Sequence, residues 1–463
     1  MKYQNSRVML YAGTLNKKLS DLSKIKFIRD TFILQVGTAA TIGLSAITSI
    51  LLARVLKPSG YGTYGLVFSI YGFISILGDV GVWYSTLTRF SRAYARGDRK
   101  ETLELLAFYI KISIITTAFI LTLGLLCAPY LASRLYNNPE IGNLARLLFL
   151  MVPLGIIYAL VTNVLQSVGM MKRLTILESL NSVIISLLVI GFVLIGLGIT
   201  GVVYGYVLAT LLSSTIGLLI YFKLHRQLGD TLPSLQEVLK RVPQIGIRKY
   251  FSLGFLISVD KNIGNLIETA PILILGAFVA VEGVGYFKIA SRAAALLPIL
   301  VAAISRNLAS KLPERMGKGD IEGFRNSFIK VSLYAGCISV GCTFVFILIA
   351  PYLVRYLYGI EYIPAIRLIY VLSIYAGISG FGVGLGPLYR TVERVDLPIK
   401  INLLLLIILA PIGLILINYL KATGAALFVS SWYALSTFIS FYIALKILKR
   451  PERWGKVVKE PST

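Results

Sequence analysis

The stretch Asp260-Lys-Asn-Ile-Gly-Asn-Leu-Ile-Glu-Thr-Ala-Pro271 places three ionisable side chains and a proline inside an otherwise apolar run. It lies in the first of two predicted helices, at about residues 246–277 and 284–308, and the second of these carries Lys288 and Arg292. Ionisable side chains inside hydrocarbon are costly and by default mark function. The stretch therefore predicts a membrane-embedded site formed by two neighbouring helices.

The charged residues of this helix pair fall on defined faces. Lys261, Asn265 and Glu268 share one face of the first helix, since residues three and four apart are neighbours. Lys288 and Arg292 share a face of the second helix by the same rule. Glu268 and Arg292 both lie about nine residues from the connecting turn, or about 14 Å deep at 1.5 Å per residue. We therefore expect Glu268 and Arg292 to meet.

Turn and proline signals complete this helix pair. The connecting turn is predicted at residues 281–283, and Pro271 and Pro298 are expected to interrupt the two helices because proline lacks the backbone N–H. Interrupted helices with charges near the bilayer midplane are typical of transport sites.

The composition assigns the whole chain to the membrane. Of 463 residues, 56% are hydrophobic and only 14% are charged, and apolar runs recur along the full length. The net charge of +25 is carried by short loops, which is how membrane proteins set their orientation, so we expect no nucleic-acid partner. Cys127, Cys337 and Cys342 lack metal-binding spacing, and we expect neither a metal site nor a cofactor. No cleavable signal peptide is expected.

An all-α integral membrane protein with twelve transmembrane helices is predicted. Loop cations cluster on the side that carries residues 96–100 and 223–249, so both termini are predicted to be cytoplasmic, in the plasma or inner membrane. The predicted spans lie near residues 30–56, 60–90, 103–131, 143–168, 174–196, 201–224, 246–277, 284–308, 324–352, 363–389, 397–416 and 423–448.

An internal repeat divides the chain into two halves. Ala128-Pro-Tyr-Leu recurs as Ala350-Pro-Tyr-Leu, 222 residues later, and four shorter matches keep nearly the same shift. A repeat in one register predicts two six-helix lobes that arose by duplication and share their orientation. The predicted divisions are a basic amphipathic N-terminal segment (1–29), an N-lobe (30–224), a cytoplasmic linker (225–245), a C-lobe (246–448) and a basic cytoplasmic tail (449–463).

The cations and acids within the predicted spans are the candidate site residues. Guanidinium groups grip phosphate as a planar fork, and lysines add point charge. Acids at depth either couple transport to H⁺ or Na⁺ or serve as structural partners of the cations. The candidates for phosphate and cavity contacts are Arg292, Lys261, Lys288, Lys111 and Asn265; those for ion coupling are Asp260, Asp79 and Glu268.

Four motifs together carry a family resemblance: residues 51–64 (LLARVLKPSGYGTY), 77–81 (LGDVG), 89–98 (RFSRAYARGD) and 282–292 (EGVGYFKIASR). With them the chain resembles the Wzx-type polysaccharide flippases of the multidrug/oligosaccharidyl-lipid/polysaccharide exporter superfamily. The resemblance implies two lobes around a central cavity and alternating access. It implies as substrate an oligosaccharide linked to a polyprenyl or dolichyl (pyro)phosphate, moved from the cytoplasmic to the outer leaflet beside glycan polymerases or glycosyltransferases.

The same resemblance implies a role for one arginine. Relatives that flip the peptidoglycan precursor carry a cavity arginine on the eighth span, and Arg292 is similar to it. Those relatives carry further cavity arginines on the first span, where this chain has only Arg54 at the outer end. The resemblance therefore implies a phosphate clamp of different composition, with Lys261 and Lys111 as its further members.

Two other functions remain as alternatives. A multidrug exporter of the same superfamily typically takes cationic drugs, which the surplus of buried positive charge would repel. A membrane oligosaccharide polymerase or glycosyltransferase needs a large domain outside the bilayer, and the longest predicted loop has only about two dozen residues. The sequence thus favours a transporter with a central cationic cavity and no enzymatic activity.

Overall fold

A computed structural model describes residues 2–246 and 252–449, with side chains from Gln35 onward except at a few positions. The described residues form α-helices joined by short turns, with no β-strand among them. Residues 450–463 of the predicted tail lie outside the described part. For the predicted amphipathic segment (1–29), the structure describes the backbone, which is helical from Lys2, but not the side chains. The helices are α1 (Lys2–Ile76), α2 (Val82–Ala95), α3 (Arg99–Tyr136), α4 (Pro139–Leu148), α5 (Met151–Ser167), α6 (Met171–Phe192), α7 (Gly198–Leu228), α8 (Leu235–Arg241), α9 (Ser252–Leu275), α10 (Val281–Ala294), α11 (Leu297–Gly317), α12 (Ile321–Leu353), α13 (Ala365–Ser379), α14 (Leu385–Thr391) and α15 (Asp396–Leu448).

Short non-α turns extend several of these helices. Five-residue π-helices follow α6 at Val193–Leu197 and α12 at Val354–Tyr358. Single 3₁₀ turns lie at Val242–Gln244, Ile360–Tyr362 and Gly380–Gly382.

The helices confirm an all-α, multi-pass membrane protein. Three of the apolar helical stretches contain 42, 58 and 53 residues, far more than the roughly 20 that cross a bilayer. Each of these three reverses its backbone inside, at Lys57 (φ 59°), Gly196 (φ 92°) and Lys421 (φ 54°). In the part of the chain that the structure describes, seven stretches have the length and apolar character to cross a membrane: Gln35–Ile76, Arg99–Tyr136, Pro139–Ser167, Met171–Leu228, Ile321–Tyr358, Ala365–Thr391 and Asp396–Leu448.

Left-handed backbone recurs in the two halves of the chain. Gly198 and Lys421 have nearly the same conformation, with φ 54° and ψ −132° in one and φ 54° and ψ −129° in the other. A positive φ is uncommon outside glycine, so matched positions are informative. Four such pairs are spaced 222, 222, 224 and 223 residues apart: Gly97 with Gly319, Asn137 with Gly359, Gly169 with Glu393, and Gly198 with Lys421.

Turns alternate between two faces of the helix bundle. We call the face with the turns near residues 57, 137, 198, 280, 359 and 421 the Lys57 face. The opposite face, with the turns near residues 97, 169, 319 and 393 and the connection through α8, is the Gly97 face. Asp98 and Asp320 both cap helices at the Gly97 face, by accepting from the backbone N–H of Glu101 and Gly323.

The region around α9 to α11 corrects two sequence predictions and confirms a third. The turn after α9 occupies residues 276–280, and residues 281–283 already form the first turn of α10, where Glu282 interacts favourably with the helix N-terminus. Pro271 lies within a continuous α9 and does not break it. Pro298 does mark a break, because α10 ends at Ala294 and α11 begins with this proline in its first turn.

The predicted second span is also broken. α1 ends at Ile76, and α2 begins only at Val82, after Gly81 adopts a left-handed conformation (φ 72°). Asp79 lies in this break, where its Oδ1 accepts a hydrogen bond from the N–H of Gly81 at 3.2 Å. The break therefore places an acid and exposed backbone groups inside what the sequence predicted as a continuous helix.

Packing joins the two halves at one face and separates them at the other. One large core toward the Lys57 face contains residues of both halves, such as Tyr61 and Tyr362. Toward the Gly97 face, a second core around Phe108 belongs only to the first half, and a third around Phe328 belongs only to the second. The halves are therefore held together mainly at the Lys57 face.

Candidate functional site

Arg292 on α10 connects the two halves at mid-depth. Its Nη2 donates to the carbonyl oxygen of Ser45 at 3.1 Å and also to the hydroxyl of Ser45, on α1. Arg292 is 11 residues from the first residue of α10, which corresponds to about 17 Å at 1.5 Å per residue. A half-buried guanidinium thus reaches from the second half of the chain into the first.

The cavity beside Arg292 is rich in hydroxyl groups. Its volume is about 160 Å³, and α1, α6, α7 and α10 form its walls. Hydroxyls both donate and accept, so they suit phosphate oxygens and sugar hydroxyls alike. We call this space the Arg292 cavity; it is lined by Thr41, Ser45, Thr48, Ser49, Leu52, Tyr64, Ser182, Ile185, Ser186, Tyr206 and Arg292.

Lys288 lies one helical turn before Arg292 and is held by an aromatic ring. Its Nζ is 3.8 Å from the centroid of the Tyr64 ring and 5.7 Å from that of Phe68. Gly65 makes room for this lysine, because a Cβ at residue 65 would lie 3.2 Å from the lysine Cδ. Since Tyr64 also lines the Arg292 cavity, the ring lies in contact with both the ammonium group and the cavity.

Lys261 forms an ion pair with Asp79 across the two halves. The Nζ of Lys261 is 3.1 Å from Oδ2 of Asp79, and both side chains are partly exposed. Next to this pair, the amide of Asn262 donates to the backbone carbonyls of Asp79 at 2.8 Å and Ile76 at 3.3 Å. Two predicted candidates thus neutralise each other at the broken second span, and neither lines the Arg292 cavity.

Glu268 and Asn265 belong to a second cavity of about 240 Å³, which Asp79 and Thr269 also line. The predicted meeting of Glu268 with Arg292 does not occur in this structure. Among the described side chains no ion pair joins them, and the guanidinium donates to Ser45 instead. With the observed helix ends, Glu268 lies seven residues before the end of α9, about 11 Å, and Arg292 lies eleven residues into α10, about 17 Å. The two groups therefore differ in depth as well as in the helix face that carries them.

Asp260 contacts the last helix, α15. Its Oδ1 accepts a hydrogen bond from the amide of Asn402 at 3.3 Å, and Oδ1 of Asn402 accepts one from the hydroxyl of Ser436 at 2.8 Å. Asn402 and Ser436 both lie on α15, on either side of its reversal at Lys421. A carboxylate, an amide and a hydroxyl therefore form one chain of hydrogen bonds in the second half.

Lys111 takes a role that the sequence did not predict. Its Nζ donates to the carbonyl oxygens of Ile245 at 2.7 Å and Pro243 at 3.2 Å. Both carbonyls belong to the connection between the halves, so Lys111 holds that connection against α3 and does not line the Arg292 cavity.

A match to a known protein family identifies the family to which this chain belongs. The family model described as "Polysaccharide biosynthesis protein" matches residues 27–308, more than half of the chain. The chain belongs to this family of polysaccharide biosynthesis proteins.

Two curated relatives are similar to this family member. The lipopolysaccharide biosynthesis protein WzxC of Escherichia coli (strain K12) is 21% identical over 418 residues, 89% of this chain and 79% of WzxC. The succinoglycan biosynthesis transport protein ExoT of Rhizobium meliloti (strain 1021) is 24% identical over 266 residues, 56% of this chain. The match spans only about half of ExoT (48%). Neither relative is named as an enzyme.

Solved structures place this family member in a transporter fold. An inward-facing multidrug resistance MATE transporter of the MOP superfamily has a TM-score of 0.70 at 16% identity, over 91% of this chain and 99% of that one. The outward-facing form has a TM-score of 0.61 at 16% identity, over 92% and 96%. A MOP superfamily transporter from Pyrococcus furiosus has a TM-score of 0.62 at 14% identity, over 92% and 96%. At these identities the similarity shows the fold alone.

The hydroxyl residues of the Arg292 cavity are the functional candidates that sequence reasoning missed. Serine and threonine are common in membrane helices, so none is conspicuous alone. Their spacing could have identified them: the hydroxyl residues of α1 recur at intervals of three, four and seven residues, which places them on one face of the helix. The members of this face are Thr41, Ser45, Thr48 and Ser49, and Ser182 and Ser186 form a matching pair on α6.

Proposed function

We propose that this protein moves a phosphate- or diphosphate-linked lipid oligosaccharide from the cytoplasmic to the outer leaflet by alternating access. The observation that carries the proposal is the Arg292 cavity, where a guanidinium from the second half meets several hydroxyls of the first half. The guanidinium suits a phosphate and the hydroxyls suit sugars. The lipid tail stays in the bilayer, while the polar headgroup avoids unpaired transfer through hydrocarbon.

Exchange of partners at Arg292 gives the binding step a physical basis. In the empty cavity Ser45 accepts the hydrogen bonds of the guanidinium. A phosphate oxygen is a stronger acceptor, since hydrogen bonds between ionised groups are about twice as strong as neutral ones. We therefore expect the headgroup to displace Ser45, so that no buried donor is left unsatisfied during binding.

Twelve spans in two lobes are part of the proposal. The reversals at Lys57, Gly196 and Lys421 divide three long stretches into six spans. The other four apolar stretches supply one span each, and α9 to α11 supply the last two. The α9 span is less apolar than the others because it carries Asp260, Lys261 and Glu268. The matched left-handed positions of the two halves support an origin by duplication.

The proposed orientation places the Gly97 face in the cytoplasm. The loops of that face carry most of the basic residues, which favours cytoplasmic termini. The separate cores toward that face and the shared core toward the Lys57 face suit an inward-facing state. The higher TM-score to the inward-facing transporter, 0.70 against 0.61, supports the same state.

Contacts at the Lys57 face suit an outer gate. Arg54 donates to the carbonyl of Leu357 at 2.7 Å and to that of Tyr356. Lys57 pairs with Glu361 at 2.8 Å. These contacts join the first and second halves at the outer end, and we propose that they open when the headgroup leaves to the outside.

Ion coupling is proposed at Asp260, Asp79 or Glu268. Asp260 is the strongest of the three candidates, because its carboxylate is not paired with a described cation and is linked by the amide of Asn402 to the hydroxyl of Ser436. Hard oxygen donors of this kind bind cations such as Na⁺. Asp79 is committed to Lys261, and Glu268 lines an open cavity.

A multidrug exporter has the same fold and is distinguished by cavity charge. Arg292 makes the cavity positive, which disfavours cationic drugs. The test is transport by the reconstituted protein in proteoliposomes, with a fluorescent lipid diphosphate oligosaccharide and the cation ethidium as rival substrates. We expect flipping of the lipid-linked sugar and no ethidium transport; the reverse result contradicts the proposal.

A further inference from the structure

One face of α9 is exposed within the membrane-spanning region. Lys261, Gly264 and Glu268 are all exposed, and they lie three and four residues apart, on one side of the helix. A Cβ added at Gly264 would have no heavy atom within 4 Å. Charged side chains inside a membrane face the interior of the bundle or a water-filled cavity. This face of α9 therefore borders open polar space and not the lipid.

The second cavity, of about 240 Å³, lies beside this face, between α1 and α9. Its walls carry side-chain amides, hydroxyls and carboxyl groups, so they offer donors as well as acceptors of hydrogen bonds. We call this space the Glu268 cavity; it is lined by Gly72, Ser75, Ile76, Asp79, Asn262, Asn265, Glu268 and Thr269.

A stacked pair of tyrosines lies close to Glu268. The rings of Tyr375 on α13 and Tyr433 on α15 are 4.9 Å apart between centroids, at an interplanar angle of 26°. Glu268 is near enough to interact electrostatically with both hydroxyl groups. In the part of the chain that the structure describes, no hydrogen bond reaches either hydroxyl. Two half-buried hydroxyls beside a carboxyl group therefore remain available to a ligand.

The composition of the Glu268 cavity suits neither a phosphate nor a bare cation. Lys261 pairs with Asp79, and no cation among the described side chains pairs with Glu268. A phosphate would therefore meet this carboxyl group without an offsetting charge, which is unfavourable. A bare cation needs only oxygen acceptors, whereas this cavity also offers donors and has several times the roughly 30 Å³ that one water occupies. Sugar hydroxyls, which both donate and accept, match such walls.

The Glu268 cavity follows the Arg292 cavity along α1. Tyr64 lines the Arg292 cavity and Gly72 lines the Glu268 cavity, eight residues further along, which corresponds to about 12 Å at 1.5 Å per residue. This part of α1 runs from Lys57 toward the Gly97 face, so the Glu268 cavity is the nearer of the two to that face. A headgroup whose phosphate binds Arg292 can therefore extend its outer sugars to the Glu268 cavity.

We propose that the Glu268 cavity is a sugar subsite, where Glu268, Asn265 and the hydroxyls of Tyr375 and Tyr433 bind neutral sugars that lie beyond the first one of the headgroup. This inference rests on the proposed function and divides recognition between two cavities, one for the phosphate and one for the outer sugars. The carboxyl group of Glu268 accepts hydrogen bonds whether or not it carries a proton. Tyrosine presents an apolar ring with a polar tip, which matches the apolar faces and polar edges of a pyranose.

Matched lipids test the subsite. Binding is measured on the purified full-length protein in nanodiscs, with polyprenyl diphosphate lipids of one chain length that carry either one glucose or a trisaccharide of glucose. Both headgroups have the same charge. We expect the native protein to bind the trisaccharide lipid at least about tenfold more tightly, which corresponds to about 1.4 kcal/mol. Glu268→Met removes the carboxyl acceptors and should reduce this ratio to near one, whereas Glu268→Gln keeps one acceptor and should retain most of it.

Further variants make the result decisive. Tyr375→Phe combined with Tyr433→Phe removes both hydroxyls but keeps the rings, and should lower the ratio at least about threefold, so the test does not depend on one variant folding. Arg292→Lys should weaken binding of both lipids alike and leave the ratio unchanged. Glu322→Met, in the exposed first turn of α12, is the matched control for loss of a carboxyl group. An undiminished ratio in well-folded Glu268→Met and in the double variant overturns the subsite.

The two proposals fail in different ways. If the native protein binds and moves both lipids equally, the subsite is wrong and the proposed function stands. If it binds neither lipid and moves neither in proteoliposomes, the proposed function fails and the subsite fails with it. If Glu268→Met keeps the ratio but removes the response of flipping to a Na⁺ or H⁺ gradient, the carboxyl group serves ion coupling and the subsite is overturned.

Discussion

Gly62 and Gly285 occupy reciprocal positions in the contact between the two halves. A Cβ on Gly62 would overlap the carbonyl oxygen of Val281, and a Cβ on Gly285 would overlap that of Pro58. Gly285 lies 223 residues after Gly62, and Val281 lies 223 after Pro58. Such exchange of equivalent partners is the mark of a two-fold contact, and small residues permit the close approach of membrane helices.

The first prediction follows from this contact. Gly62→Ala and Gly285→Ala are each expected to destabilise the protein by about 1–3 kcal/mol, because backbone atoms must move to admit the methyl group. Gly264→Ala is the control, since nothing lies within 4 Å of its would-be Cβ inside α9. Alanine there should be neutral or stabilising by up to about 1 kcal/mol. The measurement is thermal unfolding in detergent, and equal effects of all three variants would contradict the tight contact.

The second prediction concerns Arg292. Arg292→Lys keeps the charge but loses the planar fork, and should transport about 10- to 100-fold more slowly, since a hydrogen bond to a charged group is worth about 1.5–3 kcal/mol. Arg292→Ala should reduce flipping of a fluorescent lipid-linked oligosaccharide to background. Arg325→Ala, exposed on α12, is the matched control and should flip normally. Normal flipping by well-folded Arg292→Ala would leave the arginine with a packing role only.

The third prediction tests the outer gate at Lys57 and Glu361. The pair is exposed, so its free energy is about 0–1 kcal/mol, and Lys57→Glu should shift the closed population by no more than about fivefold. The reporter is a cysteine in place of Ser49, a buried residue whose hydroxyl lies 2.7 Å from that of Tyr61. In a background without the native cysteines, Lys57→Glu should increase its labelling by an impermeant reagent from outside.

The double variant supplies the control for the gate. Lys57→Glu combined with Glu361→Lys restores opposite charges and should return the labelling rate to that of the native pair. A rate that stays high in the double variant would mean that the charges do not hold this face closed.

Sequence reasoning found the helices and most of the charged groups, for a physical reason. Charges in apolar runs are conspicuous, and depth along a helix follows from counting residues. Direction does not follow from counting, because it depends on how each helix rotates against its neighbours. Arg292 donates to Ser45 rather than to Glu268, and Lys111 contacts a backbone segment that is remote in sequence. The break at Asp79 depends on the backbone of Gly81, which sequence pattern does not distinguish from an ordinary helical glycine.

The fourth prediction separates two roles for Lys111. In the structure it donates to the carbonyls of Pro243 and Ile245, so Lys111→Ala should loosen the connection between the halves. Loss of hydrogen bonds from a charged donor, worth about 1.5–3 kcal/mol each, should speed tryptic cleavage after Lys240 by at least about tenfold. Binding of the lipid diphosphate should be unchanged. Lost binding with unchanged cleavage would instead restore the predicted phosphate-binding role.

The final prediction concerns ion coupling at Asp260. Asp260→Asn keeps the size and hydrogen bonding of the side chain but removes the charge that a bound cation needs, so flipping should lose its response to a Na⁺ or H⁺ gradient. Asp79→Asn should behave differently: it removes the carboxylate from the ion pair with Lys261 but leaves the hydrogen bonds of Asp260 in place, so the gradient response should persist. Because both side chains of the pair are partly exposed, the loss of stability should be only about 0–1 kcal/mol. Asp230→Asn, in an exposed turn, is the control for charge removal. Flipping is followed in proteoliposomes under imposed gradients of each ion. If Asp260→Asn still responds to the gradient like the native protein, the carboxylate merely orients Asn402, and coupling must reside at Glu268 or be absent.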